Sequence, residues 1–160
     1  VDEMYKQGVR LITITWNHEN SLGFPNKTAP EKGLKPFGIE ALARMNELGI
    51  IADSSHLSDA GFWDLVKYSK KPFVASHSNA KALCGIYRNL TDDMLRALAD
   101  KGGVTGLNFS ADFLVDDTLP TLCAMRATSR MWQAWRRSRL APILTASAAS
   151  WSSRIAPACR

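Results

Sequence analysis

The last part of this 160-residue chain lacks several common residue types. From Thr118 to Arg160 there is no Asp, Glu, Lys or Gly, and the only charged side chains are arginines. All 15 acidic residues lie in residues 1–117, where they outnumber Lys and Arg together, so the formal net charge of +5 arises from the tail alone. A mildly acidic body has no electrostatic reason to bind nucleic acid or an anionic membrane, and we expect neither partner.

Cysteine is scarce, and long apolar runs are absent. Three widely spaced cysteines, Cys84, Cys123 and Cys159, form no disulfide framework, which favours a reducing compartment and a cytoplasmic location. No apolar run reaches the length of a membrane-spanning helix, and residues 1–10 do not resemble a signal peptide. Those residues instead read as the end of an amphipathic helix that runs into a strand, as expected for a segment of a longer chain.

Short apolar segments alternate with amphipathic ones over residues 8–110. The pattern predicts strands at 8–15, 50–56, 72–77 and 104–110, and helices at 37–49, 58–71 and 90–103. This alternation indicates an α/β fold with a parallel sheet and right-handed crossovers. Four such strands fit either a doubly wound sheet or half of a (β/α)8 barrel, and the lack of a Gly-x-Gly-x-x-Gly motif after the first strand weakens the nucleotide-binding, doubly wound version. We therefore predict a partial (β/α)8 TIM barrel of about four strands and three helices, followed by an irregular C-terminal tail.

Two histidines end neighbouring predicted strands. His56 closes the segment IIADSSH, and His77 closes PFVASH one strand–helix unit later. In a parallel barrel both imidazoles lie at the carboxyl edge, where adjacent strands are about 4.8 Å apart, so both rings can reach one metal ion. On spacing alone, two polar side chains hydrogen-bonded to nearby loops explain the pattern equally well.

Two further residues near that edge are candidates for substrate contacts. Arg88 precedes the third predicted helix, where its guanidinium can hold a carboxylate through two hydrogen bonds; the alternative is a surface arginine paired with Asp92 or Asp93. His18 lies in a long polar loop, residues 16–36, and loops of that length inside a compact domain are usually functional. Its imidazole can donate to a developing oxyanion, or it is simply solvated.

The segments GVRLITITWNHEN, LGIIADSSHLSDAGFWDLVKYSKKPFVASHSNAKAL and RNLTDDMLRALADKGGVTGLNF resemble the membrane (renal) dipeptidase family of zinc peptidases in its bacterial form. The resemblance covers residues 8–117 and implies a (β/α)8 barrel whose two zinc ions are bridged by a glutamate. It also implies hydrolysis of dipeptides, including those with a C-terminal D-residue, by a full-length parent that can form a homodimer. By the same resemblance, His56 and His77 correspond to ligands of the second zinc, and Arg88 to the arginine that binds the substrate's terminal carboxylate.

The chain departs from the family pattern at several functional positions. Trp16 stands where the family has a polarising histidine, with His18 two residues further on, and Ser110 stands where a tyrosine is usual. The His-x-Asp motif and the bridging glutamate expected ahead of Val1 are absent, as is the Gly-Ser-Asp-Phe-Asp-Gly stretch that carries an acidic catalytic residue. The expectation is a fragment of a zinc dipeptidase that has an incomplete ligand set and is inactive as this chain alone.

A shift of the reading frame accounts for the unusual tail. Residues 140–147 can be encoded by TTG GCT CCG ATT TTG ACG GCA TCA. Moving the frame by one base gives GGC TCC GAT TTT GAC GGC ATC, which encodes Gly-Ser-Asp-Phe-Asp-Gly-Ile, the missing family stretch. We therefore divide the chain into a partial dipeptidase-like barrel, residues 1–117, and an out-of-frame basic tail, residues 118–160, that is not a domain.

Two other hypotheses remain. The chain can be a non-catalytic module derived from a barrel, in which the basic segment 131–140 binds a membrane or nucleic acid. It can also belong to a different class of metal-dependent amidohydrolase barrel. Zinc stoichiometry after replacement of His56 and His77 separates the first of these from a metallopeptidase, and the substrate profile of the full-length parent tests the second.

Overall fold

The described part of the chain contains four α-helices and two β-strands. The computed structural model describes residues 1–108 and 110–114, and the predicted tail 118–160 therefore lies outside the described residues. In chain order the elements are α1 (Asp2–Lys6), β1 (Leu11–Thr13), α2 (Pro36–Leu48), β2 (Ile51–Asp53), α3 (Asp59–Tyr68) and α4 (Asp92–Asp100), followed by a 3-10 helix (Ala111–Phe113). The three predicted helices are confirmed as α2, α3 and α4, and α1 is the helix end expected at the start. None of the described helices is long and apolar enough to cross a membrane.

β1 and β2 form a parallel pair in which Thr13 lies opposite Asp53. Two further segments, predicted as strands at 72–77 (the third segment) and 104–110 (the fourth segment), extend the parallel order. They pair through isolated bridges, Asp53 with Val74 and Ala75 with Thr105. The segments predicted as the third and fourth strands are thus in the expected order, but each pairs at isolated positions and does not form a strand. The α/β class is confirmed. The predicted four-stranded part of a barrel is not confirmed, because the sheet formed by the described residues has two strands.

The strands are shorter than the apolar runs that predicted them. The reason is that the carboxylate of Asp53 accepts hydrogen bonds from backbone N–H groups that would otherwise pair with a neighbouring strand. The backbone N–H groups of Ser55 and Ser76 donate to Oδ1 of Asp53, at 3.0 and 2.9 Å. Those two donors are no longer available to neighbouring strands. Pro72, at the start of the third segment, has no N–H to donate. The polar residues that end the strands therefore also determine where the sheet stops.

Local signals in the sequence set the helix boundaries. The hydroxyl of Ser58 accepts from Gly61 N at 3.0 Å, so α3 begins at a side-chain cap. The hydroxyl of Thr91 accepts from Met94 N at 3.2 Å and caps α4 in the same way. Such caps contribute about 1 kcal/mol each. α2 ends at Gly49, whose φ of 74° lies in the left-handed region that favours glycine.

The helices cover one face of the sheet and bury the main apolar core. The largest buried apolar side chains there are Ile14, Leu42, Met45, Phe62, Leu65, Phe73 and Leu98. The rings of Phe62 in α3 and Phe73 in the third segment pack edge to face with centroids 5.5 Å apart, which ties that segment to the helix. On the opposite face, the paired residues Leu11 and Ile51 are 44% and 40% exposed. The described residues thus leave that face of the sheet open at Leu11 and Ile51.

Candidate metal centre

The structure brings His56 and His77 into contact. His56 follows β2, and His77 follows the third segment of the parallel order, so both residues lie at the same edge of the sheet. Their Nε2 atoms are 3.0 Å apart, and the ring centroids are 5.0 Å apart. Two residues that are distant in the sequence therefore present their imidazoles to one point.

Hydrogen bonds at Nδ1 determine which nitrogen of each ring carries the hydrogen. His56 Nδ1 lies 3.2 Å from the side-chain oxygen of Asn17, which can only accept, so Nδ1 holds the hydrogen. His77 Nδ1 lies 2.7 Å from the hydroxyl of Ser76, and that hydroxyl donates to Oδ2 of Asp53 at 2.6 Å. With these tautomers the two Nε2 lone pairs would face each other across 3.0 Å, which is unfavourable unless a cation lies between them. This arrangement favours a cation shared by the two rings.

A buried carboxylate organises the strand ends behind the histidines. Asp53 is fully buried; its Oδ1 accepts from the N–H groups of Ser55 and Ser76, and its Oδ2 from the hydroxyls of Thr13 and Ser76 at 2.8 and 2.6 Å. Burial raises the pKa of Asp53, but these hydrogen bonds, those from Ser76 first, outweigh it, so the pKa lies below its ordinary value. The carboxylate is therefore ionised and contacts β1, the residues after β2 and the third segment at once.

His56 has a backbone conformation that is rare for a residue with a side chain. Its φ is 72°, and no other non-glycine residue in the described ranges has a positive φ. A left-handed conformation costs an ordinary residue about 1–2 kcal/mol. The long loop holds it, because Asn26 N–H donates to His56 O at 2.9 Å and the flanking residues Pro25 and Leu57 form a bridge. Strain of this kind is found at functional sites, where the surrounding structure enforces it.

Both imidazoles stay neutral at ordinary pH. Burial, followed by the positive charge of Arg88, lowers the pKa of His56 to about 4. The same two causes lower the pKa of His77, and Asp53 opposes the shift in both rings. Neutral imidazole is the form that binds a metal ion, so protons compete only weakly for these nitrogens.

Arg88 is buried near the histidine pair and has unused donors. The residue is 8% exposed, and among the described residues its Nε and Nη2 atoms have no hydrogen-bond partner. The alternative of a surface arginine paired with Asp92 or Asp93 is wrong, because Arg88 is buried and Asp93 instead pairs with Arg96 at 2.5 Å. Burial lowers the pKa of the Arg88 guanidinium. A buried cation with free donors suits an anionic ligand.

A small cavity adjoins this arginine. Its volume is about 10 Å³, room for about one water molecule, and its lining includes His56 and Arg88. The ring centroid of Phe113 lies 5.4 Å from the guanidinium carbon of Arg88. Phe113 is held there by the side chain of Asn79, which donates to the backbone oxygens of Asn108 and Phe113 at 2.9 and 3.0 Å. Buried asparagine contacts thus set the position of the ring beside the guanidinium.

The long loop contributes a different residue from the predicted one. The side chain of His18 is exposed, and the loop residue that contacts His56 is Asn17. Trp16 is 67% exposed, and its ring centroid lies 6.1 Å from that of His56. The structure therefore places Asn17 and Trp16 beside the candidate centre, and leaves His18 in solvent.

Sequence reasoning missed Asn17, Asp53 and Ser76 as members of the site. A signal existed for Asp53, because an acidic residue directly after IIA in a buried strand requires hydrogen-bond donors around it. Ser76 precedes His77, and this adjacency was visible but its contact with Asp53 was not. Asn17 had no signal, since its partner is 39 residues away.

The described residues supply an incomplete set of metal ligands. Within residues 1–108 and 110–114, no group of three or more His, Cys, Asp or Glu side chains could hold a metal ion. In a tetrahedral site with Zn–N bonds of about 2.0–2.1 Å, two ligand nitrogens lie roughly 3.3 Å apart, close to the 3.0 Å between the two Nε2 atoms. The pair therefore fits zinc, but as two of the three or four ligands that a tight site needs.

Relatives of this chain are found among known proteins. The family model described as membrane dipeptidase (peptidase family M19) matches residues 1–148. A Klebsiella pneumoniae protein encoded in the pqqA 5′ region is 43% identical over 119 residues, which cover 71% of this chain and 44% of that protein. An uncharacterized dipeptidase of Schizosaccharomyces pombe is 38% identical over 116 residues, which cover 70% of this chain and 28% of that protein.

A solved structure shares the fold. The metallo peptidase of Rhodobacter sphaeroides, determined with a phosphinate mimic of the dipeptide L-Ala-D-Ala, superposes with a TM-score of 0.77 and 28% identity. The superposition covers 84% of this chain and 42% of that chain. This chain thus spans less than half the length of each of these three proteins.

Proposed function

The chain belongs to the membrane dipeptidase family, peptidase family M19, and on that basis we propose that it is a segment of a zinc-dependent dipeptidase. One observation carries the proposal: at one edge of the sheet, two imidazole Nε2 atoms converge to 3.0 Å, and nearby lies a buried guanidinium whose Nε and Nη2 have no partner among the described residues. Cleavage of a dipeptide needs both features, because the amide bond must be activated and the terminal carboxylate must be held.

His56 and His77 would hold the zinc ion through their Nε2 atoms. Zinc in this position supplies a Lewis acid that polarises a carbonyl and lowers the pKa of a water molecule. The protein's own contribution is to keep both rings neutral and oriented. Asn17 and Ser76 hold the Nδ1 hydrogens, which leaves each Nε2 lone pair directed into the site.

Arg88 would bind the C-terminal carboxylate of the dipeptide. The carboxylate provides acceptors for Nε and Nη2, which have none among the described residues. Because the adjoining cavity holds about one water molecule, we expect the ring of Phe113 to shift when the carboxylate enters. The R. sphaeroides enzyme binds a mimic of L-Ala-D-Ala, and we extend this to dipeptides with a C-terminal D-residue as substrates of the present protein.

The rest of the proposal concerns the architecture and the activity of this chain alone. We assign residues 1–117 to a partial (β/α)8 barrel, whose missing strands would cover the open sheet face at Leu11 and Ile51. With two ligands in the described residues, the chain alone binds zinc weakly and does not hydrolyse dipeptides. Residues 1–117 contain a single cysteine, Cys84, which can form no disulfide within that part of the chain, and this supports a cytoplasmic location.

Zinc titration of the 160-residue chain by calorimetry tests the metal assignment. We expect one weak site that is lost in His56→Ala and in His77→Ala. His18→Ala is the matched control, because it removes an exposed histidine, and it should bind zinc like the parent chain. Zinc binding that survives both of the first replacements contradicts the proposal. Absence of binding in every form favours the non-catalytic module.

Dipeptide binding by the zinc-loaded chain tests the role of Arg88. We expect Arg88→Met to weaken binding of L-Ala-D-Ala about tenfold or more, since hydrogen bonds to charged groups contribute about 1.5–3 kcal/mol. Arg96→Met, at an exposed arginine, is the control and should bind like the parent chain. The dipeptide amide, which has no terminal carboxylate, should not distinguish the Arg88 variant from the parent. If Arg88→Met weakens binding of the dipeptide and of the dipeptide amide by the same factor, Arg88 does not contact the terminal carboxylate.

A further inference from the structure

We propose that Asp53, acting through Ser76, is a positioning residue that fixes the tautomer of His77 and so directs its Nε2 lone pair into the candidate metal centre. We call this path the Asp53–Ser76 relay. The inference rests on the proposed function for its consequence, which is metal binding. The tautomer itself is a property of the chain without metal and is measured separately.

The relay has a defined direction. Ser76 Oγ lies 2.6 Å from Oδ2 of Asp53 and 2.7 Å from Nδ1 of His77, and a hydroxyl has one hydrogen to donate. Asp53 can only accept, because each of its oxygens already receives a second donor. The Ser76 hydrogen is therefore committed to Asp53, and Ser76 Oγ accepts from His77. His77 must carry its hydrogen on Nδ1.

Backbone contacts hold the relay rigid. Oδ1 of Asp53 accepts from the N–H groups of Ser55 and Ser76, which prevents the carboxylate from turning away from the Ser76 hydroxyl. The backbone N–H of His77 donates to Oγ of Ser55 at 3.0 Å, which fixes the residue that carries the ring. The carboxylate, the hydroxyl and the imidazole are thus placed in advance by the strand ends.

His56 is positioned in a different way, and this difference makes the inference specific. Its Nδ1 contacts the Asn17 amide oxygen in the long loop, not a carboxylate or a hydroxyl. Changes in the relay should therefore act on the tautomer of His77 directly, and on that of His56 only through the 3.0 Å contact between the two Nε2 atoms. A purely structural role for Asp53 would instead disturb the signals of both rings without exchanging Nδ1–H for Nε2–H on His77.

The test is ¹⁵N NMR of the imidazole nitrogens in the metal-free 160-residue chain, which distinguishes the Nδ1–H and Nε2–H tautomers. In Asp53→Asn, the amide nitrogen replaces Oδ2 and donates to Ser76, so the hydroxyl turns to donate to His77. His77 should then become the Nε2–H tautomer, as an aspartate-to-asparagine change reverses a histidine tautomer in a catalytic triad. Ser76→Ala should give a mixture, and Ser76→Thr, which keeps the hydroxyl at an exposed position, should restore Nδ1–H.

Thr13→Val is the matched control. It removes one hydrogen bond to the same oxygen of Asp53 without touching the path to His77, so the Nδ1–H tautomer should remain. Persistence of that tautomer in Asp53→Asn and in Ser76→Ala would overturn the inference. If Asp53→Asn does not fold, the Ser76→Ala and Ser76→Thr pair decides the question.

Zinc affinity of the same variants measures the consequence. We expect it to fall about 10–100-fold in Asp53→Asn and Ser76→Ala, and to return close to the parent value in Ser76→Thr. If the tautomers change as expected while no form binds zinc, the proposed function fails and the inference stands. If the tautomers stay unchanged and zinc binds normally in all variants, the inference fails and the proposed function stands.

Discussion

His56 Nδ1 and the side-chain oxygen of Asn17 lie 3.2 Å apart, although 39 residues separate them in the chain. The contact brings the long loop between β1 and α2 into the candidate metal centre. The same loop is anchored to α3, because the side chain of Asn26 donates to Asp59 at 2.5 Å. A loop attached at both places is part of the site, and its residues should influence metal binding.

Asn17→Ala should therefore weaken zinc binding about tenfold, since loss of an outer hydrogen bond to a metal-ligating histidine typically costs 10–100-fold. The imidazole of His56 would lose its Nδ1 partner and rotate more freely. Calorimetric titration of the variant with zinc measures the effect. His18→Ala, one position away and exposed, should have the affinity of the parent chain. Equal affinities for all three forms would remove Asn17 from the site.

The left-handed backbone of His56 predicts an unusual order of stabilities. At a φ of 72°, glycine is free of the strain that any side chain suffers, so His56→Gly should be more stable than His56→Ala by about 1 kcal/mol. Urea unfolding of the metal-free variants gives the two free energies. The same pair at His77, whose φ is not positive, should show the reverse order, because glycine there only adds unfolded-state entropy. An alanine variant at position 56 that is as stable as the glycine variant would contradict the conformation.

The lowered pKa of His56 predicts a defined pH dependence. In the folded chain the pKa is about 4, against an ordinary value of 6.5, so the unfolded chain takes up its proton at higher pH. The contribution of neutral His56 to the free energy of unfolding is therefore fully present above pH 6.5. It is lost as the pH falls from 6.5 through 4. NMR titration of the metal-free chain should show His56 titrating near pH 4.

Arg88→Met is the matched variant for this titration, because the positive charge of Arg88 is the second cause of the shift after burial. Its removal should raise the pKa of His56 and of His77 while burial keeps both below the ordinary value. Of the other neighbours, His77 lowers the pKa of His56 and Asp53 raises it, and both are unchanged in the variant. A His56 signal that titrates near pH 6.5 in the folded parent chain would show that the ring is solvated.

Asn79→Leu should lower the free energy of unfolding by about 2–3 kcal/mol. The side chain of Asn79 is fully buried and serves both backbone groups of Asn108 and the oxygen of Phe113, with bonds of 2.8–3.0 Å. Leucine would remove the partners of the half-buried backbone groups of Asn108 and leave the oxygen of Phe113 with Asn89 alone, at 3.2 Å. A buried polar group left without a partner costs about 1–3 kcal/mol. Gln7→Leu makes the same chemical change at an exposed position and should stay within about 0.5 kcal/mol of the parent. Similar midpoints for the two variants in urea would refute the role of Asn79.

Element order and the meeting of the two histidines could be predicted because both follow from local rules. A parallel order brings successive strand ends to one edge, so His56 and His77 had to be near each other once the strands were found. The caps Ser58 and Thr91 were equally local, since each acts within three residues of its own position.

The parts that could not be predicted depend on contacts between distant residues. Strand length was overestimated because Asp53 accepts the N–H of Ser76, a contact across 23 residues that no pattern in either segment indicates. Arg88 precedes two aspartates, a context typical of exposed ion pairs, yet it is buried beside Phe113. Its burial depends on the ring of Phe113, 25 residues further along the chain, whose backbone oxygen is held by Asn79 and Asn89, and this is tertiary information.

The codon of Leu144 decides whether the tail is an out-of-frame reading. The absence of Asp, Glu, Lys and Gly from residues 118–160 is expected if that segment was never selected in this frame. Leu144 must then be encoded by TTG, because a CTN codon would change the Phe of the shifted motif to Ser, and TTA would change its second Asp to Asn. Thr145 must be ACG for the second Gly to appear. Sequencing the coding DNA measures both at once, and any other codon at either position ends the hypothesis, since the Gly-Ser-Asp-Phe-Asp-Gly stretch would no longer exist in the shifted frame.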